Sequence, residues 1–328
     1  MIFIAIAITL LLLELIYFRV ASRFNIIDKP NSRSSHKDIT LRGGGIIFVL
    51  GIWMYSFFFD FQYPCFLIGL TLISIIGLID DIHSLPNWIR LIIQIIAVFL
   101  LLNQLGLQRW NNIWYFLVAW IVCIGITNAY NFMDGINGMT GGYSIAVIIP
   151  LIYINNHITF IDPSLLYIAL LSLSIFCYFN FRKNAKCFAG DVGSLSIAFI
   201  VIFALSLLIL KTKDLSYILF LAIYGIDSFL TICHRILLHE NLGTAHRKHA
   251  YQIMANELGI PHIVVAGLYI ILQSIISFGL ILLPINHSLY VGVVLGILTM
   301  GYLLFMKRYY YLHESILRTF KNNNHANK

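Results

Sequence analysis

Two neighbouring carboxylates close an apolar run near residue 80. The stretch "GLIDDIHSLPNWIR", residues 77–90, places Asp80 and Asp81 side by side in a chain that has only 14 acidic residues among 328. Adjacent carboxylates repel each other, and a divalent cation is an economical way to keep both ionised. Mg²⁺ prefers carboxylate oxygens and is often completed by substrate phosphate oxygens. The pair therefore indicates phosphate chemistry, although a solvated helix end is the alternative for this stretch alone.

A second polar segment has regular spacing. In "NAYNFMDGINGMTGG", residues 128–142, polar side chains recur every three residues at Asn128, Asn131, Asp134 and Asn137. On a helical turn this spacing places them on one face. The glycines between them allow backbone to approach a ligand closely.

Two further segments combine charge with glycine. In "AGDVGSLS", residues 189–196, Asp191 precedes an apolar helix whose N-terminal amides could bind phosphate; a simple N-cap is the alternative. In "HKDITLRGGGIIF", residues 36–48, Arg42 precedes three glycines, and a flexible loop with topogenic charge is the alternative.

The last large polar loop, residues 232–261, carries cationic and hydrogen-bonding side chains. Within "LGTAHRKHAYQIM", His246, Arg247 and His249 are donors suited to a diphosphate, which Arg can bind with two hydrogen bonds. The two histidines lack a third zinc ligand nearby, which argues against a zinc site.

The elements that must position these residues are membrane helices. The chain is 60% hydrophobic and only 11% charged, far from the composition of soluble domains. We therefore predict an all-α, polytopic integral membrane protein with a single domain, residues 1–328. Apolar runs long enough to approach the bilayer thickness predict eleven spans, at 2–20, 45–60, 64–79, 89–105, 113–128, 142–156, 164–180, 192–210, 215–231, 262–284 and 288–306. The first lacks a basic n-region and a cleavage site, which predicts a retained helix.

The distribution of Lys and Arg predicts the orientation. With the N-terminus outside and the C-terminus cytoplasmic, 18 of the 21 Lys and Arg residues fall on the cytoplasmic side. The net charge of +7 thus reflects topology and attraction to anionic head groups, and gives no argument for nucleic acid. The acids at or near predicted cytoplasmic helix ends are Asp80, Asp81, Asp134, Asp191 and Asp227. The five scattered cysteines have no Cys-x-x-Cys spacing and are interpreted as small core residues.

Taken together, the five segments resemble the polyprenyl-phosphate N-acetylhexosamine-1-phosphate transferases. This superfamily includes the phospho-N-acetylmuramoyl-pentapeptide translocase and the N-acetylglucosamine-1-phosphate transferases. The resemblance runs in order from about residue 28 to residue 252. It implies transfer of a sugar 1-phosphate from a UDP-sugar to undecaprenyl or another polyprenyl phosphate, releasing UMP, at the cytoplasmic face of the inner (plasma) membrane.

The resemblance also implies roles for individual residues. Asn131 and Asp191 would hold Mg²⁺, with Mn²⁺ as a substitute. Asn137 would contact the uracil, Asp134 would support the nucleotide pocket, and Arg90 would contact phosphate. The remaining substrate-binding candidates are Arg42, Asn128, His246, Arg247 and His249. Asp80 and Asp81 would act as general base and organise the metal region, with Asp80 favoured as the base. A covalent aspartyl-phosphate route stays open.

The loop sequence "HRKHAYQ" departs from the histidine runs of the peptidoglycan and enterobacterial-type relatives. It looks like the O-antigen or capsule branch, some of whose members use QuiNAc or FucNAc, so a pentapeptide substrate is not expected. A Mg²⁺-dependent prenyltransferase and a polytopic transporter are the alternative functions. The first requires Asp-rich motifs that this chain lacks, and the second favours acids near the bilayer midplane. The apolar outer helices could also form a homodimer interface.

Overall fold

A computed structural model describes residues 1–28, 39–107, 113–241, 243–244 and 246–326, with side chains described up to residue 312. Four of the basic residues that support the predicted orientation lie outside the described residues: Lys29, Arg33, Lys37 and Lys328. Arg109, which the prediction places on the opposite side, lies outside them too. The start of the predicted Arg42 segment, residues 36–38, lies outside them as well.

The described chain is almost entirely helical. The helices are α1 (Ile2–Arg23), α2 (Ile46–Phe58), α3 (Pro64–Ile82), α4 (Asn87–Gln104), α5 (Ile113–Met133), α6 (Met139–Asn155), α7 (Pro163–Asn180), α8 (Gly190–Thr212), α9 (Ala222–Leu237), α10 (Ala250–Gln252), α11 (His262–Leu282) and α12 (His287–Ala326). A 3₁₀ segment, Leu215–Leu221, leads into α9, and a π-helical turn, Ile253–Glu257, follows α10. Two short antiparallel strands, β1 (Ile27–Asp28) and β2 (Thr40–Leu41), pair between α1 and α2.

The all-α polytopic fold is confirmed. In the described part of the chain, nine helical segments are long and apolar enough to cross a membrane, and Ile46–Phe58 and Met139–Asn155 are shorter apolar helices. Together they coincide with the eleven predicted spans. Whether each of the eleven crosses the bilayer stays a prediction, as does the single domain.

Long-range contacts show which helix ends meet. The Asp81 carboxylate near the end of α3 accepts hydrogen bonds from the start of α8, and Asn131 near the end of α5 also contacts α8. Asn180, the last residue of α7, accepts a hydrogen bond from Gly138 just before α6. Odd-numbered helices thus end where even-numbered helices begin, which agrees with the predicted alternation. The side of the membrane on which this end lies stays a prediction.

Helix α8 forms the centre of the molecule. It is apolar on all sides and mostly buried, as expected for a helix surrounded by other helices. Its beginning lies against α2 so closely that a Cβ added to Gly193 would be 2.7 Å from the Cα of Gly45. Small residues let helix backbones approach in this way inside a membrane. The contact fixes the Arg42 segment against the start of α8.

Two predicted boundaries were wrong in ways that affect the site. Helix α3 continues to Ile82, so Asp80 and Asp81 lie in its last turn and do not follow it. Helix α5 ends at Met133, so Asp134 and Asn137 lie in the turn before α6. The expected single polar face therefore carries only Asn128 and Asn131. The reason is that "DGING" breaks the helix, and Gly138 adopts φ +82° there.

Candidate active site

Three carboxylates and two arginines form one connected network. Arg90, in the first turn of α4, lies 3.1 Å from Asp80 Oδ2 and 2.8 Å from Asp191 Oδ2. Arg42 lies 2.8 Å from Asp81 Oδ1 and 3.4 Å from Asp191 Oδ1. The five residues come from three segments far apart in the sequence, around residue 42, residues 77–90 and residue 191. Three negative and two positive side chains thus share one partly buried volume at the end of the bundle.

Asp81 stabilises the beginning of α8. Its two carboxylate oxygens accept hydrogen bonds from the backbone N–H of Asp191 at 2.8 Å and of Val192 at 3.1 Å. An acceptor at a helix N-terminus satisfies amides that have no partner within the helix. The sequence suggested that Asp191 was the N-cap, or that these amides bind phosphate. Both suggestions were wrong for these two amides, because a carboxylate 110 positions earlier in the chain already occupies them.

The glycine before Asp191 makes this capping contact sterically feasible. Gly190 has φ +71°, and a Cβ at this position would lie 2.3 Å from Asp81 Oδ2. A side chain would therefore meet both backbone strain and a direct clash. On the other side of the network, Tyr17 on α1 donates a 2.7 Å hydrogen bond to the carbonyl of Arg42. These contacts hold the Arg42 segment in place beside the beginning of α8.

The asparagines of α5 extend the network. Asn131 Oδ1 lies 3.4 Å from Arg90, and its Nδ2 donates to Ser194 Oγ at 3.1 Å. Asn128 donates to Gln94 Oε1 at 2.9 Å. Ser194 and Gln94 were missed as site residues. Gln94 is 1% exposed, and a buried polar residue within an apolar helix is the signal that could have found it.

A cavity of about 450 Å³ opens beside this network. It lies between α4, the end of α5 and the last large loop, and its lining side chains are mostly polar. The predicted site residues that line it are Arg90, Asn128, Asn131, His246 and His249. The structure therefore brings the predicted segments 77–90, 128–142 and 232–261 to the same place.

Asp134 and Asn137 lie apart from both the acid–arginine network and the cavity lining. Asp134 accepts a 2.6 Å hydrogen bond from Thr140, and Asn137 donates to the carbonyls of Arg182 and Lys183 at 2.9 and 3.1 Å. Burial raises the pKa of Asp134 to about 7, while the Thr140 hydrogen bond opposes this shift. Asn137 keeps one buried side-chain oxygen without a partner among the described residues. Uracil binding by Asn137, through that oxygen, stays a prediction.

The histidine loop packs over the end of α5. The rings of His246 and His249 lie 5.0 Å apart, and both contact Phe132. Burial lowers the pKa of His246 to about 3, and the neighbouring His249 acts in the same direction. His246 is therefore a neutral side chain near pH 7. Arg247, which lies between the two histidines in the sequence, is not a free side chain, because it interacts with other groups of the protein.

The donor chemistry fits a hard divalent cation. Among the described residues, no group of three or more His, Cys, Asp or Glu side chains is arranged to hold a metal ion. Asp191 Oδ2, however, is buried and accepts no well-aligned hydrogen bond, and the Asn131 amide oxygen faces the same Arg90 guanidinium. These two oxygens, one from a carboxylate and one from an amide, already face a cation, the Arg90 guanidinium. They are oxygen ligands of the kind that Mg²⁺ accepts.

Sequence comparison identifies a family for this arrangement. Residues 63–210, which include Asp80, Asp81, Arg90, Asn131 and Asp191, match the family described as Glycosyl transferase family 4. This match covers slightly less than half of the chain, and it supports the resemblance to the polyprenyl-phosphate N-acetylhexosamine-1-phosphate transferases.

Three relatives illustrate the similarity. The chain is 28% identical, over 79% of its length and 78% of the relative, to a probable undecaprenyl-phosphate N-acetylglucosaminyl 1-phosphate transferase of Bacillus subtilis. It is 29% identical, over 56% of its length and 64% of the relative, to a phospho-N-acetylmuramoyl-pentapeptide-transferase of Dictyoglomus thermophilum. It is 30% identical to an undecaprenyl-phosphate alpha-N-acetylglucosaminyl 1-phosphate transferase of Escherichia coli, over 57% and 56%. The last two matches cover less than two thirds of the relatives' length.

Proposed function

We propose that this multi-pass membrane protein transfers an N-acetylhexosamine 1-phosphate from a UDP-sugar to a polyprenyl phosphate. The products are a polyprenyl diphosphate sugar and UMP. The observation that carries the proposal is the network of Asp80, Asp81, Asp191, Arg42 and Arg90 at one end of the helices. The names of the relatives agree with this reaction. The distribution of Lys and Arg supports a site that faces the cytoplasm, and the resemblance supports the plasma membrane as the location.

The two arginines suit the charge of the reactants. Attack of a lipid phosphate oxygen on the β-phosphorus of the UDP-sugar accumulates negative charge on the phosphoryl oxygens and expels UMP. Arg42 is 31% and Arg90 19% exposed in the side chain, so both guanidinium groups are accessible at the site. Positioned cations that face developing charge lower the barrier.

Asp80 is the better candidate for the general base. Asp81 accepts hydrogen bonds from two backbone amides and lies beside Arg42, and its side chain is 0% exposed. Asp80 Oδ1 accepts one hydrogen bond, from the backbone N–H of Leu85, while Oδ2 faces Arg90, which lines the cavity. Asp80 Oδ2 would therefore accept the proton of the lipid phosphate before attack.

Asp191 and Asn131 would hold Mg²⁺, with Mn²⁺ as a substitute. When bound, the ion would neutralise diphosphate charge and favour departure of UMP. Arg90 contacts both of these residues, so its guanidinium would lie beside a diphosphate bound there.

The test is UMP release by the purified protein from undecaprenyl phosphate and UDP-GlcNAc, with Mg²⁺ and after chelation. We expect Mg²⁺-dependent release that Asp191→Ala abolishes. The matched control is Asp214→Asn, because Asp214 pairs with His287 at the opposite end of the bundle. Near-normal turnover of Asp191→Ala would contradict the site. Uptake of a solute without UMP release would support the transporter alternative.

A panel of UDP-GlcNAc, UDP-GalNAc, UDP-QuiNAc and UDP-FucNAc would identify the sugar. The departure of "HRKHAYQ" from the peptidoglycan pattern favours a single N-acetyl sugar over a pentapeptide-bearing one. The same preparation, examined by size-exclusion chromatography with light scattering, would test the homodimer. A stable monomer that is fully active would exclude a need for dimerisation.

A further inference from the structure

A buried carboxylate lies directly behind the histidine loop. Asp227, on α9, is only 3% exposed. It accepts hydrogen bonds from Tyr269 Oη at 2.7 Å, from the backbone N–H of Ala250 at 3.0 Å and from Thr231 Oγ1 at 3.2 Å, and His249 Nδ1 lies 3.3 Å away. A buried carboxylate requires donors and, when ionised, a positive partner. Of these four groups, only the imidazole of His249 can carry a positive charge.

The other ring nitrogen of His249 is left for a ligand. His249 is 2% exposed, and its Nε2 has no hydrogen-bond partner among the described residues. The residue nevertheless lines the cavity that Arg90 and Asn131 also line. A buried polar atom without a partner is costly unless something binds it. Because Nδ1 faces Asp227, Nε2 is the atom that can meet a ligand in the cavity.

We infer that Asp227 is a positioning residue for His249. It holds the orientation of the imidazole ring and keeps a proton on Nδ1, so that Nε2 binds a phosphate oxygen of the substrate. Asp227 is not among the residues that line the cavity and acts through the imidazole. A carboxylate that accepts Nδ1–H sets the tautomer of a histidine and stabilises its cation. The cation then donates Nε2–H to an anionic oxygen in a charge-assisted hydrogen bond. The inference rests on the proposed function for the identity of that oxygen.

His246 cannot replace His249 in this role. No carboxylate contact holds a ring nitrogen of His246, and its Nδ1 is buried without a partner among the described residues. Burial also keeps its pKa at about 3, so its ring stays neutral. Of His246 and His249, the latter is the one with a carboxylate partner.

The decisive experiment is a double-mutant cycle on UMP release, with His249→Gln, Asp227→Asn and the double variant. If Asp227 acts through His249, each single change lowers kcat by about 30-fold or more, and the double variant stays within about threefold of His249→Gln. We also expect KM for UDP-GlcNAc to change by less than about threefold in Asp227→Asn, because the contact strengthens as charge develops on the phosphate. KM for undecaprenyl phosphate, measured in parallel, shows which substrate supplies the oxygen.

The matched control is Tyr269→Phe, which removes the 2.7 Å contact to the same carboxylate without touching the imidazole. We expect its kcat within about threefold of the unmodified protein. Losses that multiply in the double variant, or a Tyr269→Phe variant as inactive as Asp227→Asn, would show that Asp227 only supports packing.

A measurement on the unmodified protein keeps the inference testable if Asp227→Asn does not fold. In protein labelled with ¹⁵N-histidine, the His249 signals are those that vanish in His249→Gln, and their shifts show which nitrogen carries the proton. We expect a protonated Nδ1. A bare Nδ1 with Nε2–H would overturn the inference. This result does not depend on turnover, so absence of UMP release would refute the proposed function alone.

Discussion

The Asp81→Asn variant separates a capping role for Asp81 from a chemical one. Asparagine has nearly the same shape as aspartate, but its side chain has one acceptor oxygen in place of two. Its NH₂ group would then face one of the N–H donors that Asp81 now accepts from. The backbone N–H of Asp191 or Val192, or the guanidinium of Arg42, then loses its acceptor. Losing a hydrogen bond to a charged group costs about 1.5–3 kcal/mol, and breaking a buried ion pair about 3–5 kcal/mol. Arg42 is partly exposed and keeps its contact with Asp191 at 3.4 Å. We therefore expect Asp81→Asn to lower the free energy of unfolding by about 3 kcal/mol, the lower end of the range for a buried ion pair.

The free energy of unfolding in detergent, from denaturant titration followed by circular dichroism, measures this cost. Asp162→Asn is the matched control, because Asp162 also caps a helix, accepting from Ser164 N–H at 2.8 Å, and Asn is an equally good N-cap. We expect UMP release to fall with stability in Asp81→Asn, since Asp191 lies in the capped turn. Wild-type stability combined with complete loss of turnover would refute the capping explanation and make Asp81 a chemical participant.

Three further outcomes are expected. Asn137→Ala should raise KM for the UDP-sugar more than it lowers kcat, because uracil binding is largely uniform between ground and transition states. Steady-state kinetics measures both constants, and a loss of kcat alone would contradict uracil binding by Asn137. Gly193→Ala should cost about 1–3 kcal/mol and reduce turnover, since its Cβ would lie 2.7 Å from Gly45 Cα. Gly225→Ala is the control, because among the described residues its Cβ would meet no atom within 4 Å beyond its chain neighbours and the backbone of its own helix. Equal stability of the two variants would count against the close packing. Because the pKa of Asp134 rises from 3.8 to about 7 on folding, the native state binds more protons than the unfolded state, and stability falls as pH rises through that window. Asp134→Asn should therefore lose less stability than the unmodified protein between about pH 4 and about pH 7 in thermal unfolding, and an identical decline would show that Asp134 does not titrate in this window.

The helices and the approximate location of the site were predictable because both depend on local sequence. An apolar run of about 20 residues must be helical in lipid, where every backbone polar group needs an internal partner. Charged residues are excluded from the hydrocarbon, so Asp80, Asp81 and Asp191 had to fall at helix ends. The polar face was predicted to extend past the end of α5 because Asn128, Asn131, Asp134 and Asn137 have helical spacing. The glycines after Asp134 broke that helix despite the periodicity.

The partners of the site residues were not predictable, because each depends on atoms far away in the sequence. Nothing near Asp81 indicates that it caps a helix beginning at Gly190, and nothing near His249 indicates that Asp227 holds its ring. Those pairs form where helix packing, set by contacts such as Gly45 against Gly193, brings the ends of the bundle within hydrogen-bonding distance.

By itself, the sequence determined that this chain enters a membrane as apolar helices and which polar residues remain at their ends, since transfer into lipid is decided segment by segment. Only the tertiary structure decided which carboxylate caps a helix, which pairs with arginine and which orients a histidine. Those choices are set by hydrogen-bond distances and burial, which arise only when the helices pack together.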